Sequence, residues 1–445
     1  MRGDNKMDNK NKNEGSIWGL LPMGVFLVLF LGTGIVTKDF NNMPVNIAFI
    51  VAGIVAILMN KKRTLGDKID TFCRGAGDPN IMLMVLIFLF AGAFANIARD
   101  MGSVESTVNL GLSLLPPNIL VVGLFLVAMF LSTAIGSSMG TVVSLTPIAV
   151  GISVATGIPV AIPVAAVVSG SIFGDNLSMI SDTTIAAVRT QGSDMRTKFK
   201  MNFLMVIPAV IISIILFYLV SRGYGADIGG VYEYNIIKIL PYLGVIILAF
   251  TGMNVLVVLL ISIIFAGTVG LFSGDFTILT LLASMSQGVI NMEDLAMIAL
   301  LIAGLVEIIK ENKGLEFLIG FIGKRVKNKR GAELGIAFLV SIADICTQNN
   351  TVSIVMAGTL AKDISEEHGI EPARSAAILD IFACSIQGIV PYGGQLLISA
   401  GLASISPMDT LRYNYYPFLL FATGIIVILI GSKKSKDTKA QKVEV

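Results

Sequence analysis

The sequence is poor in charge, and this shortage limits the class of protein more than any other feature. Of its 445 residues only 14% are charged, whereas 54% are hydrophobic, and the mean hydropathy is +0.82. A soluble domain carries about 25% charged residues. Because the shortage extends over the whole chain, lipid rather than water must surround most of it. We therefore predict a multi-pass protein of the inner (plasma) membrane.

Residues that bind metals or nucleotides are also scarce. The cysteines, Cys73, Cys346 and Cys384, are odd in number and far apart, and His368 is the single histidine. This spacing forms neither a disulfide framework nor a zinc motif. There is no glycine-rich P-loop, so we do not expect nucleotide hydrolysis to supply energy. No nucleophile–base pair is found at membrane depth either, and we expect neither an enzyme nor a cofactor.

Apolar runs long enough to cross a bilayer recur along the chain. A helix needs ~20 apolar residues to span the hydrocarbon core. Uninterrupted runs of this kind lie at 17–36, 44–59, 80–99, 202–220, 236–252, 254–272, 294–310 and 413–431. Polar, glycine or proline residues interrupt four more apolar stretches, at 118–135, 140–190, 332–365 and 372–403. The fold is therefore predicted to be all-α, with broken helices near the bilayer midplane.

Basic residues predict how the chain is oriented. Lysine and arginine in short loops mark the cytoplasmic side of a membrane protein. One topology of ten crossings places both termini and all but five of the 32 basic residues in the cytoplasm. In that topology segment 118–156 must enter and leave from outside, and segment 332–368 must enter and leave from inside. Both segments are therefore predicted to be re-entrant hairpins.

The two halves of the chain resemble each other, and their matching stretches follow in the same order. The stretch LLPMGVFLVLFLG at 20–32 matches ILPYLGVIILAFTG at 239–252, and Ala91-Gly92 matches Ala303-Gly304. Each half has five crossings and one hairpin. Because five is odd, the second half is inserted upside down, which predicts an inverted repeat with the substrate site at the midplane.

These observations divide the chain into four parts. A cytoplasmic polar tail, 1–15, precedes a first repeat at 16–225 and a second at 226–432, and a basic cytoplasmic tail follows at 433–445. No small-residue cleavage site follows a short apolar stretch after the polar tail, so we expect no removable signal peptide.

Polar residues at membrane depth fall in four places, at 132–141, 174–184, 344–351 and 387–395. Unwound backbone is tolerated there only inside protein or along a wet cavity. The two hairpin tips and two broken helices are therefore expected to converge, and their oxygens suit a hard cation such as Na⁺. The candidate ion- or substrate-binding residues are Ser137, Ser138, Thr141, Asp175, Asn176, Ser178, Ser181, Asp182, Thr183, Asp344, Thr347, Asn349, Asn350, Thr351, Asp380 and Gln387.

Ionisable residues at this depth are few, and each is a functional candidate. Asp175 and Asp182 are seven residues apart, which is two turns on one face if the segment is helical. We predict that they bind Na⁺ together with Asp344, and that Asp380 lies just before a helix break. Each carboxylate could instead cap a broken helix or make a packing hydrogen bond, and Glu307 could simply pair with Lys310.

Residues 169–203 resemble the signature stretch of the NhaC-type Na⁺/H⁺ antiporter family. Gly-Asp-Asn-Leu-Ser at 174–178 and Ser-Asp-Thr-Thr at 181–184 carry most of the resemblance. More distantly, the hairpin tips resemble those of the ion transporter superfamily, where the pattern is Ser-Asn-Thr. Asn349-Asn350-Thr351 is near to that pattern, whereas residues 137–141 depart from it.

The resemblance implies secondary active transport by alternating access, with Na⁺ and H⁺ as transported or coupling ions. A Na⁺- or H⁺-coupled carrier of an amino acid or organic acid is the alternative in the same family, and a passive channel is a weaker one. Membrane lipid is the expected surrounding partner. A small organic or amino acid and a second copy of the chain are further candidate partners, and nucleic acid is not expected.

Overall fold

The computed structural model of the chain describes residues 15–37, 43–114, 117–178, 181–224, 233–251, 253–314, 316–317 and 328–440. Every regular element in these ranges is a helix, and a short 3₁₀ turn, Ile17–Leu20, precedes the first of them. In chain order the α-helices are α1 (Leu21–Thr37), α2 (Val45–Leu58), α3 (Leu65–Ala76), α4 (Pro79–Asp100), α5 (Ser103–Leu114), α6 (Pro117–Ile135), α7 (Ser138–Thr156), α8 (Ala161–Leu177), α9 (Asp182–Gln191), α10 (Met195–Ser221), α11 (Ile236–Phe250), α12 (Val255–Phe272), α13 (Ile278–Ile290), α14 (Glu293–Glu311), α15 (Lys329–Thr347), α16 (Asn350–Glu367), α17 (Pro372–Ile389), α18 (Gly394–Ala403), α19 (Pro407–Leu411) and α20 (Tyr415–Ala440).

The predicted apolar runs are helical, which confirms an all-α membrane protein. Among the described residues, six stretches are long and apolar enough to cross a bilayer, and they lie at Ile81–Asp100, Ser138–Thr156, Ala161–Gln191, Met195–Ser221, Val255–Phe272 and Pro372–Ala403. The other predicted runs also fall on helices. The charge and hydropathy patterns did not predict α3, α5 and α13, because helices of 12 or 13 residues are too short to span the hydrocarbon core.

Both predicted hairpins are pairs of packed helices joined by a two-residue turn. The first turn is Gly136-Ser137 between α6 and α7, and the second is Gln348-Asn349 between α15 and α16. The Ser137 hydroxyl accepts the Gly140 N–H at 3.2 Å, and the Asn349 side-chain oxygen accepts the Val352 N–H at 3.0 Å. Each tip therefore begins a new helix with a side-chain cap. That each hairpin enters and leaves on one side of the bilayer stays a prediction.

The helix ends in the centre of each half recur at a constant separation along the chain. Each end of α6 to α9 named here has its counterpart in α15 to α18, and the residue numbers of every pair differ by the same amount. The matched ends are Pro117 and Lys329, Ile135 and Thr347, Ser138 and Asn350, Leu177 and Ile389, Asp182 and Gly394, and Gln191 and Ala403. The matching dipeptides Ala91-Gly92 and Ala303-Gly304 have this separation too. The structure therefore repeats with the period of that sequence match.

Contacts between the halves are reciprocal. Helix α4 of the first half packs on α12 and α13 of the second, while its counterpart α14 packs on α2 and α3. Such an exchange of contacts is what a two-fold relation between two similar units produces. The reciprocity does not by itself give the direction of the axis, so the inverted arrangement of the repeats stays a prediction.

Glycines allow these helices to approach closely. A Cβ atom on Gly92 of α4 would lie 2.2 Å from the Gly288 carbonyl oxygen of α13, and one on Gly304 of α14 would lie 2.5 Å from the Phe72 ring of α3. Small residues at such crossings are typical of membrane helices, whose association depends on close packing. The sequence match between Ala91-Gly92 and Ala303-Gly304 thus marks equivalent crossings in the two halves.

We predict that Gly92→Ala destabilises the protein by about 1–3 kcal/mol, because the added methyl group must push α4 away from α13. The matched control is Gly24→Ala in α1, where a Cβ atom would have no neighbour within 4 Å. The measurement is the thermal unfolding of both variants in the same detergent. Equal stability of the two variants would contradict the close crossing.

Candidate functional site

A single buried carboxylate joins the tips of the two hairpins. Asp175 lies in the last turn of α8 and is 4% exposed. Its carboxylate accepts the Ser138 N–H at 3.2 Å and the Ser138 hydroxyl at 2.6 Å, both from the start of α7. It also accepts the side-chain amide of Asn350, at the start of α16, at 3.1 Å. Two helix N-termini, which favour negative charge, therefore hold the same carboxylate.

Asp175 forms part of the wall of a cavity of about 150 Å³, which we call the inner cavity. Its lining comprises Met84, Gly136, Ser137, Ser138, Met139, Asp175, Ser181, Asp182, Thr183, Gln348, Asn349, Asn350, Thr351, Gln387 and Gln395. A second cavity of about 560 Å³, the vestibule, shares seven of these residues and extends to α4, α12 and α14. The inner cavity and the vestibule are thus adjoining parts of one space.

Asp182 lies at the mouth of this space. It is exposed, it is the first residue of α9, and it lines both cavities. Helix α8 ends at Leu177, so the chain between Asp175 and Asp182 is not continuous helix. The two carboxylates reach the same cavity because the helix breaks, and not because they lie on one helical face.

The broken end of α8 is fastened through its backbone. Hydroxyls of Thr183 and Thr184 donate to the Asp175 carbonyl oxygen at 2.8 and 3.3 Å. The Ser181 and Thr183 hydroxyls are 2.8 Å apart. These bonds from the first turn of α9 replace the helical bonds that α8 loses at its break, so unwound backbone is satisfied within the protein.

Two glutamines connect the second broken helix to the first hairpin. The Gln387 amide donates to the Gln348 carbonyl oxygen at 3.2 Å and to the Gln395 side-chain oxygen at 2.9 Å. The Gln395 amide in turn donates to the Ser138 hydroxyl at 2.9 Å. Gln387 is the counterpart of Asp175 at the separation that relates the helix ends of the two halves. The second half therefore places a neutral amide where the first half has a carboxylate.

Asp380 lies behind the cavity and faces a lysine. The Lys198 ammonium is 2.6 Å from the Asp380 carboxylate, and both residues are fully buried. The side-chain amide of Asn202 donates to the same carboxylate oxygen at 2.7 Å. Helix α10, which carries Lys198, begins at Met195, and the carboxylate of the preceding N-cap residue Asp194 accepts the Thr197 N–H at 2.9 Å. That hydrogen bond, with one from the Thr197 hydroxyl, lowers the pKa of the Asp194 carboxyl.

Asp344 is buried away from the lining of the two cavities. One of its oxygens accepts the Ser353 hydroxyl at 3.2 Å, and the other has no hydrogen-bond partner within the described part of the chain. Among the described residues, no three histidine, cysteine or acidic side chains gather as a metal cluster would require. The sequence-based grouping of Asp175, Asp182 and Asp344 around one Na⁺ is therefore not assembled in this conformation.

Of the remaining candidates, some line a cavity and others bond to the backbone around it. Thr347 lines the vestibule. The Thr141 hydroxyl donates to the Ser137 carbonyl oxygen at 3.1 Å, and the Asn176 amide donates to the Asp380 carbonyl oxygen at 3.3 Å. Ser178 is buried at the end of α8. Outside this region, the Lys310 ammonium is 3.5 Å from the Glu307 carboxylate, which is the pairing that their spacing indicated.

Sequence reasoning missed several residues that support the site. Lys198 was counted with Arg189, Arg196 and Lys200 as a cytoplasmic charge, but only Lys198 is buried. A usable signal was the spacing of Lys198 and Asn202, four residues apart at the start of an apolar run, because such residues share a helix face. Tyr416 is fully buried, and its hydroxyl donates to the Asn176 side-chain oxygen at 3.3 Å.

Apolar membrane helices, two hairpin tips and two broken helices around a buried carboxylate define a polytopic secondary transporter. The model of the Na⁺/H⁺ antiporter family matches the chain twice, over residues 15–222 and 173–432. Because these matches cover nearly the whole chain, the protein belongs to the Na⁺/H⁺ antiporter family. The resemblance seen around residues 174–184 is confirmed.

Characterised relatives are similar over nearly their full length. The malate-2H⁺/Na⁺-lactate antiporter of Bacillus subtilis (strain 168) is 22% identical, covering 95% of this chain and 97% of its own. The Na⁺/H⁺ antiporter NhaC of Alkalihalophilus pseudofirmus is 23% identical, covering 93% and 94%. The arginine/ornithine antiporter ArcD of Halobacterium salinarum is 25% identical, covering 93% and 90%. All three are antiporters, and they differ in the solutes that their names give.

We predict that Ser138→Ala costs about 1.5–3 kcal/mol of stability, because the Asp175 carboxylate loses a short, charge-assisted hydrogen bond inside the protein. The matched control is Ser144→Ala, one to two turns further along α7. Ser144 is also buried, but its hydroxyl donates only to the Gly140 carbonyl oxygen. Thermal unfolding in detergent compares the variants. A loss in Ser144→Ala as large as that in Ser138→Ala would contradict this assignment.

Proposed function

We propose that this chain exchanges Na⁺ for H⁺ across the membrane, and that the Asp175 carboxylate binds the two ions in turn. The observation that carries the proposal is that both hairpin tips bond to this one buried carboxylate at the wall of a cavity. The family supports the same pair of ions.

A buried carboxylate suits exchange because its charge must be compensated. An ionised carboxylate without a counter-ion costs several kcal/mol inside a protein. Na⁺ or a proton on Asp175 removes that cost, so the loaded site can pass through the closed, low-dielectric state of the cycle. The empty, charged site does not pass through the closed state, because its burial would carry that cost. This limits the leak of ions. Alternating access then converts binding from one side into release on the other.

Oxygen ligands for Na⁺ are available around Asp175. The Ser138 hydroxyl and the backbone carbonyl groups at the ends of α6 and α15 are oxygen donors of the kind that hard cations prefer. When Asp175 is protonated instead, the new carboxylic O–H can donate to the Ser138 oxygen, which reverses the direction of that bond. The Ser138 hydroxyl can therefore interact with the site whether Na⁺ or a proton is bound to Asp175.

The breaks in the two broken helices have different surroundings. The break of α8 and α9 faces the vestibule, whose wall includes the exposed residues Asp182 and Met253. The break of α17 and α18 holds Tyr392, which packs edge-on against Phe26 and Phe49 with ring centroids 5.1 and 5.7 Å apart. Such a difference between two reciprocal breaks supports alternating access by repeated halves, in which each half opens in turn.

The predicted orientation makes the open side cytoplasmic. Ile81 and Met253 both line the vestibule. Ile81 follows the basic segment 60–74, which the charge rule places in the cytoplasm, and the predicted order of crossings puts the loop at Met253 on the same side. On this orientation the conformation is inward-open.

Coupled transport of a small organic acid is the second candidate. The vestibule, at about 560 Å³, is much larger than an ion site needs, and the N-termini of α7 and α16 could hold a carboxylate without a basic side chain. Named relatives exchange malate, lactate, arginine or ornithine. In this candidate the organic solute occupies the vestibule while an ion neutralises Asp175.

We predict that Asp175→Asn reduces Na⁺-driven proton movement to the level of protein-free liposomes, because the amide binds neither ion as a carboxylate does. Glu307→Gln is the matched control and should keep most activity, since Glu307 pairs with Lys310 outside the cavity. The measurement is internal pH in liposomes that hold purified protein. Full activity of Asp175→Asn would place the ion site elsewhere.

The two candidates differ in what Na⁺ does alone. A plain antiporter should collapse an imposed pH gradient when Na⁺ is the only added solute, across pH 6–9 (roughly where a desolvated carboxylate can titrate). A coupled carrier should respond only when its organic solute is also present, because the solute completes the site and lets it close. Malate, lactate, arginine and ornithine are the solutes to add. No response to Na⁺ alone would reject plain Na⁺/H⁺ antiport.

A further inference from the structure

The ion pair of Lys198 and Asp380 lies directly behind the proposed ion site. Both side chains are at most 1% exposed, and the ammonium is 2.6 Å from the carboxylate. Neither residue is among the described residues that line the inner cavity or the vestibule. A charge pair so fully buried raises the question whether it exchanges protons during transport or holds fixed charges.

The hydrogen-bond partners of Lys198 match those of a charged ammonium. Its Nζ atom contacts the Asn176 carbonyl oxygen at 3.0 Å, the Thr184 hydroxyl at 2.7 Å and the Asp380 carboxylate at 2.6 Å. The Thr184 hydroxyl donates its own proton to the Asp175 carbonyl oxygen at 3.3 Å. The Asn176 carbonyl oxygen and the Thr184 hydroxyl must therefore accept from Nζ. An ammonium has three N–H groups and can donate to all three partners, with an ionised Asp380 as its counter-charge.

The Asp380 carboxylate also has several hydrogen-bond donors around it. It accepts from Lys198 and Asn202 at 2.6 and 2.7 Å, and more weakly from the Asn176 amide at 3.5 Å. The thiol of Cys384 lies 3.8 Å from its other oxygen. The carboxylates of Asp175 and Asp344 also act on the Cys384 thiol, and the Tyr416 phenol bonds to Asn176. Within this shell Lys198 is the single cation among the described residues.

The pair also holds the end of the helix that carries Asp175. Lys198 and Asn202 both donate to the Asn176 carbonyl oxygen, each at 3.0 Å. This carbonyl belongs to the last turn of α8, where helix carbonyls lack helical partners and carry partial negative charge. The ammonium therefore stabilises the break of α8 one residue after Asp175, and directs the Asp175 side chain towards the hairpin tips.

We infer that Lys198 is a positioning residue with a permanent charge, which compensates Asp380 and holds the end of α8 while keeping its proton throughout transport. The inference rests on the proposed exchange at Asp175. The inference assigns the exchanged proton to Asp175, on the cavity side of α8. It assigns no exchanged proton to Lys198 or Asp380. Asp175 is then the buried carboxylate in the wall of the inner cavity whose charge depends on the bound ion.

The test is a double-mutant cycle of wild type, Lys198→Met, Asp380→Asn and the double variant. Each single variant leaves one buried charge unpaired, so its Na⁺/H⁺ exchange in liposomes should fall at least ~10-fold. The double variant removes both charges and should recover to within ~5-fold of wild type. Side chains that only fill space would give a double variant no better than the worse single variant, and that result would overturn the inference.

Two further readouts separate a fixed charge from a proton carrier. The double variant should keep the wild-type dependence of exchange on pH and on an imposed membrane potential, because the removed pair has no net charge and releases no proton. A changed number of charges moved per Na⁺, or a displaced pH profile, would mean that the pair carries a proton. Either result would overturn the inference.

A further variant, Lys198→Arg, tests the inference if the double variant does not fold. Lys198→Arg keeps a charge that cannot be lost at any accessible pH. A fixed counter-charge predicts that it retains at least ~10% of exchange, whereas a folded but inactive Lys198→Arg protein would overturn the inference. If wild type itself shows no Na⁺-driven proton movement, the proposed function is wrong. Thermal stability then still tests the pair, because both single variants should melt below the double variant.

Discussion

The charge of Asp175 constrains the architecture around it. A carboxylate at this depth is stable only where strong donors or a cation face it. The donors come from the first residues of α7 and α16, Ser138 and Asn350, which lie at the tips of different hairpins. Both tips must therefore reach the end of α8, and the breaks in the helices follow from that requirement. The cavity forms where these ends meet.

The similarity of the two halves makes their differences informative. At the separation that relates the halves, Asp175 corresponds to Gln387, and Gly136 corresponds to Gln348. The backbone at both tips is left-handed, with φ of +73° at Gly136 and +53° at Gln348. Glycine adopts this conformation freely, whereas a residue with a Cβ atom is strained in it. Gln348 lines the cavity in spite of that strain, which is typical of positions kept for function.

The sequence was informative where the physics is local. Polar runs within apolar stretches predicted the turns at 136–137 and 348–349 and the break after Leu177, because unwound backbone at depth needs polar or glycine residues. Charge counting failed at Lys198, because it treats every lysine as solvated. Whether a lysine instead meets a carboxylate from α17, far along the chain, is decided by tertiary packing.

The same limit applies to the grouping of carboxylates. Asp175 and Asp182 do line one cavity, but the reason is a break in the helix rather than their seven-residue spacing. Asp344 lies in the last turn of α15, where it is the counterpart of Ser132 in α6, and is buried against Ser353 instead of facing the cavity. The sequence can predict which polar residues lie at membrane depth. The rotation of each helix about its axis determines which of these residues contact each other.

The mode of exchange follows from charge and access together. With Lys198 compensating Asp380, the proposed site has one buried carboxylate to neutralise at the cavity wall. Under the proposed exchange Na⁺ and a proton compete for that carboxylate, so the site would carry them in opposite directions and not together. A channel would need continuous access, whereas Tyr392 in the second break packs on Phe26 and Phe49 and the first break faces the vestibule. One carboxylate with access from one side at a time is sufficient for antiport.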